Sequence, residues 1–303
     1  MVSGDAAVRA GARAGARAAV LPARPVGDWS VSAIGLGGAP IALAAQIPGE
    51  RSAVRMVHAA LDAGVTLLDT ADVYSPQLGQ GYSESVFGKA VRTWGPGRDD
   101  VLIATKGGKY WQPDGAVKVD GRPEYLARAC EASLRALGTD VIGLYQLHEP
   151  DPAVPFEESI GALADLRAAG KIRQIGISNT GVDLIRRALA VTPLASVQNR
   201  LGPGHRYGAA ELALCEQQGL AFLAYSPLGG LAAGDRFAQV AARYQVSPHR
   251  VTLAWELSLS PAVIPIPGAT RPETIRDSVQ AAALSLSPAD RRLLGGITDQ
   301  EGT

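Results

Sequence analysis

The sequence predicts an α/β fold: a (β/α)8 TIM barrel in a single domain, with an N-terminal hairpin before the first barrel strand and a short C-terminal helix. Three observations predict it. Apolar runs too short for helices alternate with segments of helical apolar spacing, eight times along the chain. Four of the helical segments stop at a glycine: Gly64, Gly138, Gly170 and Gly219. Successive strands end in a polar, chemically useful residue, which suits a fold that gathers strand ends at one mouth. A doubly wound sheet is the alternative, but IGLGGAP carries Gly35, Gly37 and Gly38 without the GxGxxG spacing or a helix start after it.

The elements follow in order. VSAIGLGGAPIAL (31–43) reads as a short strand ending in glycines, and SAVRMVHAALDAG (52–64) as a helix with a glycine stop. The run beginning at Val65 is a strand to Asp69, and SESVFGKAVR (83–92) is a helix that Ser83 can cap. VLIATK (101–106) is a strand, and residues 122–138 form a helix with Pro123 in its first turn. The pattern repeats with strands at 141–148, 172–179, 194–199 and 221–228 and helices at 155–170, 181–191 and 209–219. RFAQVAARY and VTLAWELSL are helical, AVIPIPG (262–268) is the eighth strand, and residues 271–284 form the helix after it.

Composition bounds the function classes. The 303 residues contain 29 basic and 29 acidic side chains, so nucleic acid and anionic membranes are not expected partners. The two cysteines, Cys130 and Cys215, lie far apart on helical segments. They match no metal motif or disulfide framework, which favours a reducing, cytoplasmic setting and no metal. No apolar run approaches the roughly 20 residues that span a bilayer. Residues 1–23 alternate Ala, Gly and Arg and lack an apolar face, so a flexible tail to about residue 20 is expected ahead of a barrel over 24–303.

VTLLDTADVY (65–74) carries the densest chemistry. A buried strand ends in Asp69, and Tyr74 follows five residues later. The third strand ends at Lys106 and the fourth at His148. Each has an ordinary reading taken alone: a cap, a solvent-facing strand end, a satisfied histidine. Three successive strand ends with a tyrosine beside them make a constellation. A phenol with a pKa near 10 donates poorly at neutral pH. A nearby ammonium lowers that pKa, and a carboxylate fixes the ammonium. Tyr74 is thus the expected general acid, Lys106 its tuner and Asp69 the residue that orients Lys106. His148 is expected to hydrogen-bond a carbonyl oxygen.

DTADVY, ATK and LYQLHEPD, followed by GKIRQIGISN, VQN, AYSPL and PIPGATRPE, resemble the aldo-keto reductase family in order and spacing over roughly residues 24–297. The resemblance implies a nicotinamide cofactor extended across the barrel mouth and no metal. It matches Asp69, Tyr74, Lys106 and His148 to the catalytic tetrad. Ser178, Asn179 and Gln198 match the residues that hold the carboxamide, and Tyr225 the aromatic that stacks on the nicotinamide. Ser226, Pro227, Leu228 and Gly229 match the stretch along the pyrophosphate. Gly268, Thr270 and Arg271 stand at the start of the last helix, where an anion is favoured and a guanidinium suits a phosphate monoester, so NADPH (NADP+) is expected over NADH. Asp277 and Ser278 occupy positions where the family usually shows Glu-Asn; Ser278 is shorter and has no amide.

The expected activity is NADPH-dependent reduction of an aldehyde or ketone to an alcohol, with a small-molecule carbonyl substrate. Two other readings stand beside it: a cofactor-binding regulatory subunit like the channel-associated β-subunits, and a sugar or alcohol dehydrogenase. A pyridoxal reductase is one specific case of the carbonyl-reduction reading. The loops at 39–50, 107–121 and 200–208 should shape an open, partly aromatic pocket, with Lys109, Arg200 or Arg206 as its only evident carboxylate clamps.

Overall fold

A computed structural model describes residues 21–43, 49–75, 77–95, 97–232 and 234–297. The expected tail over 1–20 lies outside the described residues, as do 44–48 of the first loop and the last residues from 298. Ala23, placed in the tail from the sequence, already belongs to a strand.

The chain opens with an antiparallel hairpin of β1 (Ala23–Val26) and β2 (Trp29–Ser32). Its two-residue turn uses Gly27 at φ 56°, the positive φ that tight hairpin turns require. Val26 and Val31 pack with Leu67, Leu102, Leu144, Leu223 and Ile264, so the hairpin joins the apolar interior of the barrel. The barrel then begins with β3 (Leu36–Gly37), α1 (Ala39–Leu43), α2 (Glu50–Asp62), β4 (Leu67–Asp69), α3 (Tyr82–Trp94) and β5 (Leu102–Gly107). An antiparallel pair, β6 (Lys109–Trp111) and β7 (Val117–Val119), interrupts the alternation. It resumes with α4 (Pro123–Leu137), β8 (Ile142–Leu147), α5 (Phe156–Ala168), β9 (Ile172–Ser178) and α6 (Val182–Val191). The remainder is β10 (Ser196–Arg200), α7 (Ala209–Gln218), β11 (Ala221–Tyr225), α8 (Arg236–Tyr244), α9 (Pro248–Leu259), β12 (Val263–Pro265), α10 (Pro272–Val279) and α11 (Pro288–Leu294).

Eight parallel strands run in the order β3-β4-β5-β8-β9-β10-β11-β12. A parallel bridge between Gly37 and Gly268 joins the two ends. Gly35 N donates to Pro265 O and Gly37 N to Pro267 O, each at 2.9 Å, which closes the sheet into the predicted barrel. Glycine is needed at this seam: a Cβ on Gly37 would lie 2.6 Å from Ile266 O.

Strand residues alternate between the interior and the helical layer. Leu67, Leu102, Ala104, Leu144 and Leu223 face inward, while Leu68 packs with α2 and α3, and Tyr145 with α4 and α5. Continuing the same period places Asp69, Lys106, Gln146 and Gln198 on the interior, one layer nearer the C-terminal mouth. Several helices start as their prolines suggest: Pro123, Pro248, Pro272 and Pro288 all sit in first turns, with Ser247 and Ser287 capping α9 and α11.

Three local expectations are corrected. Residues 31–43 are not one strand: Val31 and Ser32 belong to the hairpin, and only Leu36–Gly37 pairs in the barrel before α1 begins. Gly38 is pressed against Phe87 and Asp69 O, where the chain turns away from the sheet. Ser83 does not cap α3; Gly81 stands at that position, and the buried Ser83 hydroxyl pairs with Thr70 Oγ1 at 2.6 Å. The segment 107–121 is not a plain loop but carries the β6–β7 ribbon, whose backbone pairing a loop-like composition conceals.

Two glycines test this packing in opposite directions. Gly161 lies inside α5 with open space where a Cβ would go. Gly161→Ala should raise unfolding free energy by about 0.5–1 kcal/mol, the helix-interior cost of glycine. Gly37→Ala should lower it by about 1–3 kcal/mol through overpacking at the seam. Urea denaturation of both variants checks the pair of signs.

Candidate active site

β4 delivers Asp69 and β5 delivers Lys106 to adjacent interior positions, in a register that pairs Asp69 with Ala104. Lys106 is 1% exposed, and its Nζ donates to Asp69 Oδ1 and to Thr70 O, both at 2.7 Å. It also reaches Tyr74 Oη at 3.4 Å. The second oxygen of Asp69 accepts from Gln198 Nε2 at 2.8 Å and, at 3.4 Å, from Gln146 Nε2. The carboxylate is therefore held from both sides. Burial alone would strip the Lys106 proton, but Asp69 and Tyr74 outweigh it, and the ammonium is held above its ordinary pKa.

Tyr74 leaves the strand through Ala71–Val73 and comes back over the ammonium, with Lys106 Nζ 5.1 Å from its ring centroid. The following residue, Ser75, has φ 101°, a strained conformation for a non-glycine residue. The expected net fall in the phenol pKa is not found. Desolvation lifts it above the ordinary value; Lys106 pulls it down, and Asp69 lifts it again. In this state the Tyr74 hydroxyl is protonated. His148 stands edge-on to Tyr74, with centroids 5.9 Å apart. Burial, then the charges of Lys106 and Lys109, hold its imidazole well below the usual histidine range, so it is neutral. His148 Nδ1 is buried with no hydrogen-bond partner among the described residues. The four predicted tetrad residues are thus brought together.

The next strands bring the carboxamide candidates to the same mouth. Ser178 pairs in register with Gln198, and Ser178 Oγ donates to Gln198 O at 2.8 Å. Asn179 has φ 59° and donates from Nδ2 to His148 O at 3.0 Å. Tyr225 Oη donates to Asn179 Oδ1 at 2.7 Å. Ser226 follows with φ 53°, so the chain turns sharply over the strand end. The 226–230 segment then packs backbone to backbone on the loop after β10: Gly204 N donates to Gly229 O at 2.9 Å, and a Cβ on Gly230 would lie 2.4 Å from Gly204 Cα. Strained backbone at Ser75, Asn179 and Ser226 thus borders one mouth, as at many sites that bind ligands.

The last helix divides the remaining candidates. Gly268 lies against Pro40, Thr270 is exposed, and Arg271 stands at the N-cap of α10 with its side chain 73% exposed, 3.5 Å from Glu273. Asp277 and Ser278 are turned to other partners. Asp277 Oδ1 accepts from Arg250 Nε at 3.1 Å and Nη2 at 2.5 Å, and its other oxygen accepts from Ser247 Oγ. Ser278 is buried and donates to Thr274 O at 3.0 Å, one turn back in its own helix.

Two of the three rim cations, Lys109 and Arg206, are also committed. Lys109 pairs with Glu149. Arg206 donates to Leu294 O at 2.6 Å and lies over the Trp255 ring at 4.6 Å, tying the β10 loop to the C-terminal helix. Arg200 is exposed at the end of β10, level with Tyr225. Trp111, on the β6–β7 ribbon, donates to Val73 O at 2.7 Å and so braces the turn before Tyr74. Sequence reading missed Gln146, whose inward place follows from the period-2 alternation through His148. It also missed the Thr70 carbonyl, for which a sequence gives no signal. Among the described residues, no group of three or more His, Cys, Asp or Glu could hold a metal ion.

The family model "Aldo/keto reductase family" matches residues 33–297. A probable aldo-keto reductase 1 from Glycine max is 32% identical over 276 residues, covering 80% of this chain and 78% of the relative. The fold superimposes on the glycerol dehydrogenase of Gluconobacter oxydans with TM-score 0.80 and 27% identity, covering 90% of this chain and 94% of that one. An aldo/keto reductase from Klebsiella pneumoniae, solved with NADP and acetate, gives TM-score 0.76 and 29% identity over 91% and 94% of the two chains. The chain belongs to the aldo/keto reductase family, a family of oxidoreductases.

The buried pair at the centre should behave as one unit in stability. Asp69→Asn and Lys106→Met should each cost about 3–5 kcal/mol, because each leaves the other charge buried and uncompensated. The double variant should cost clearly less than the sum. A double-mutant cycle by urea denaturation at neutral pH measures the coupling, and strict additivity would contradict the pairing.

Proposed function

We propose that this protein reduces an aldehyde or ketone to the alcohol with NADPH, Tyr74 serving as proton donor. The observation that carries the proposal is the buried Lys106 ammonium. It is fixed by Asp69, lies within reach of the Tyr74 hydroxyl and sits beside a neutral His148. The chain's own groups suit the cofactor: Ser178, Asn179, Gln198 and Tyr225 gather hydrogen-bonding groups and one aromatic ring at adjacent strand ends, and glycine-rich backbone follows Ser226. When bound, NADPH supplies a hydride to the carbonyl carbon.

The protein's residues then act on the carbonyl oxygen. Neutral His148 offers a hydrogen bond that orients it, and Tyr74 Oη gives up its proton as negative charge develops there. Lys106 stabilises the phenolate left behind. Asp69, Gln198 and Gln146 keep the ammonium from moving toward solvent. The surrounding apolar interior makes each of these interactions stronger than it would be in water.

Preference for NADPH is supported by Arg271 at the N-cap of α10, where its guanidinium and the helix N-terminus favour a phosphate, and by the NADP bound in a structural relative. Gly268 and Thr270 lead into that N-cap. Asp277 already accepts from Arg250 and Ser247, and Ser278 donates to Thr274 O, so each would meet the cofactor only through its remaining lone pairs. Oxidation of an alcohol is the second reading, favoured by the likeness to a glycerol dehydrogenase; it uses the same residues in reverse.

Tyr74→Phe removes one hydroxyl and should leave NADPH binding intact while reduction falls by about 10²–10⁴-fold. Lys106→Met should be comparably harmful and Asp69→Asn milder. Single-turnover hydride transfer with a panel of uncharged aldehydes and ketones reads all three. A Tyr74→Phe variant as fast as wild type would end the mechanism; a wild type that binds NADPH without turnover on any carbonyl or alcohol would favour a regulatory binding subunit.

Arg271→Ala should weaken NADPH by about 1.5–3 kcal/mol, the worth of one charge-assisted contact, and leave NADH nearly unchanged. Dissociation constants for both cofactors check this; an unchanged NADPH/NADH ratio would remove Arg271 from the site.

A further inference from the structure

On the far side of β5 from the tetrad lies a second buried set of ionisable groups. Asp72 and Glu84 are each only 1% exposed, and they arrive from different elements: the turn after β4 and the first turn of α3. Glu84 Oε1 accepts from Thr105 Oγ1 at 2.6 Å, and Asp72 Oδ2 accepts from Gln80 Nε2 at 2.8 Å. The other oxygen of each carboxyl has no hydrogen-bond partner among the described residues. Tyr145 Oη and Ser133 Oγ, fully buried in the same region, also lack one. Buried polar atoms without a close partner are uncommon in a folded interior, and these four gather in one region, with Ser133 facing the Glu84 carboxyl.

Charge makes the imbalance sharper. The groups facing the pair are Lys106 from β5, Cys130 and Ser133 from α4, and Tyr145 from β8, with Tyr125 of α4 beside Tyr145. Burial pushes the Cys130 thiol and the Tyr125 hydroxyl up to about 12 and lifts Tyr145 well above its ordinary value, so all three are neutral. Lys106 is the one cation in this set, and Asp69 already neutralises it at 2.7 Å. Two further ionised carboxylates in this space would be uncompensated, which a protein interior resolves by keeping protons on them.

The pair also touches the chain that carries Lys106. Thr105, the donor to Glu84, precedes Lys106 directly, and Asp72 N donates to Lys106 O at 3.2 Å. We propose that Asp72 and Glu84 form a proton-holding acid pair that tunes Tyr74 through Lys106, which makes Glu84 a positioning residue for proton transfer. The effect on turnover rests on the reductase reading above; the proton on the pair does not.

Burial raises the Glu84 carboxyl to about 7, and burial, then Glu84, raises Asp72 well above the usual range. The sign follows. Below pH 7 Glu84 is neutral. As pH rises through that value it ionises and adds negative charge beside Lys106. The phenolate of Tyr74 then becomes harder to form, Tyr74 is a weaker donor, and reduction slows.

Three readouts test this on the full chain. Infrared titration of the wild type should show a protonated-carboxyl band that disappears near pH 7 and is missing in Glu84→Gln. Alkaline ultraviolet titration, differenced against Tyr74→Phe, should show the Tyr74 phenol about threefold more acidic in Glu84→Gln, equivalent to half a pKa unit. The fall in carbonyl reduction across neutral pH should flatten in the same variant. Should Glu84→Gln not fold, Asp72→Asn is expected to leave the band that disappears near pH 7 in place and to remove part of the acid absorption that persists above it. A wild type whose acid absorption, to which the buried Glu256 also contributes, loses no component near pH 7 overturns the proton-holding pair. Superimposable Tyr74 titrations and pH profiles overturn the tuning. A wild type that reduces no carbonyl contradicts the reductase reading and leaves the two spectroscopic tests standing.

Discussion

The contact on which the site depends is the one between Lys106 and Asp69. An ammonium buried to this degree is stable only if a carboxylate meets it and the remaining protons find acceptors. Asp69 and the Thr70 carbonyl do this at 2.7 Å, and two glutamine amides hold the carboxylate from behind. Without the pair, the interior layer at the barrel mouth would be a hole lined by polar groups. With it, a buried positive charge stands within reach of a half-buried phenol at the mouth. Both the stability of that layer and its proposed chemistry rest on the same two atoms.

The barrel makes the pair possible. Period-2 alternation sends every second strand residue inward, and the parallel register stacks those residues in layers. Leucine, alanine and isoleucine fill the lower layers, and the hairpin residues Val26 and Val31 add to that apolar packing. The layer above is polar, and it opens onto turns with strained backbone at Ser75, Asn179 and Ser226. Each of those turns redirects a side chain or a loop across the mouth. The outward-facing residues of the same strands hold a second, acidic set, so β5 separates two buried charge systems with Lys106 on one face and Thr105 on the other.

Much of this was legible in the sequence. Asp69, Tyr74, Lys106 and His148 each end or follow an apolar strand, so their convergence follows once the strands close into a barrel. The proline starts and glycine stops marked most helices within a few residues. Short-range patterns failed where tertiary contacts decide the outcome. The glycines at 35–38 looked like the end of one strand, yet the seam with β12 uses only two of those residues. Ser83 had the chemistry of a cap but pairs with Thr70 across the layer. Asp277 and Ser278 occupied the right positions for a ligand contact, but no pattern announces that Arg250 and a backbone carbonyl will engage them first. The direction of the Tyr74 shift was misjudged because a sequence shows the neighbouring charge and hides the desolvation.

The account's central claim is that the Lys106 charge, and not merely its bulk, makes Tyr74 a donor. Chemical rescue tests this most directly. Lys106→Ala leaves a cavity beside Asp69 into which a small primary ammonium can enter. Single-turnover oxidation of NADPH by an uncharged aldehyde should be severely slowed in that variant and should recover in a saturable way on adding methylammonium. Neutral amides of similar size should have no effect. A Lys106→Ala enzyme that runs at the wild-type rate without rescue would contradict the claim.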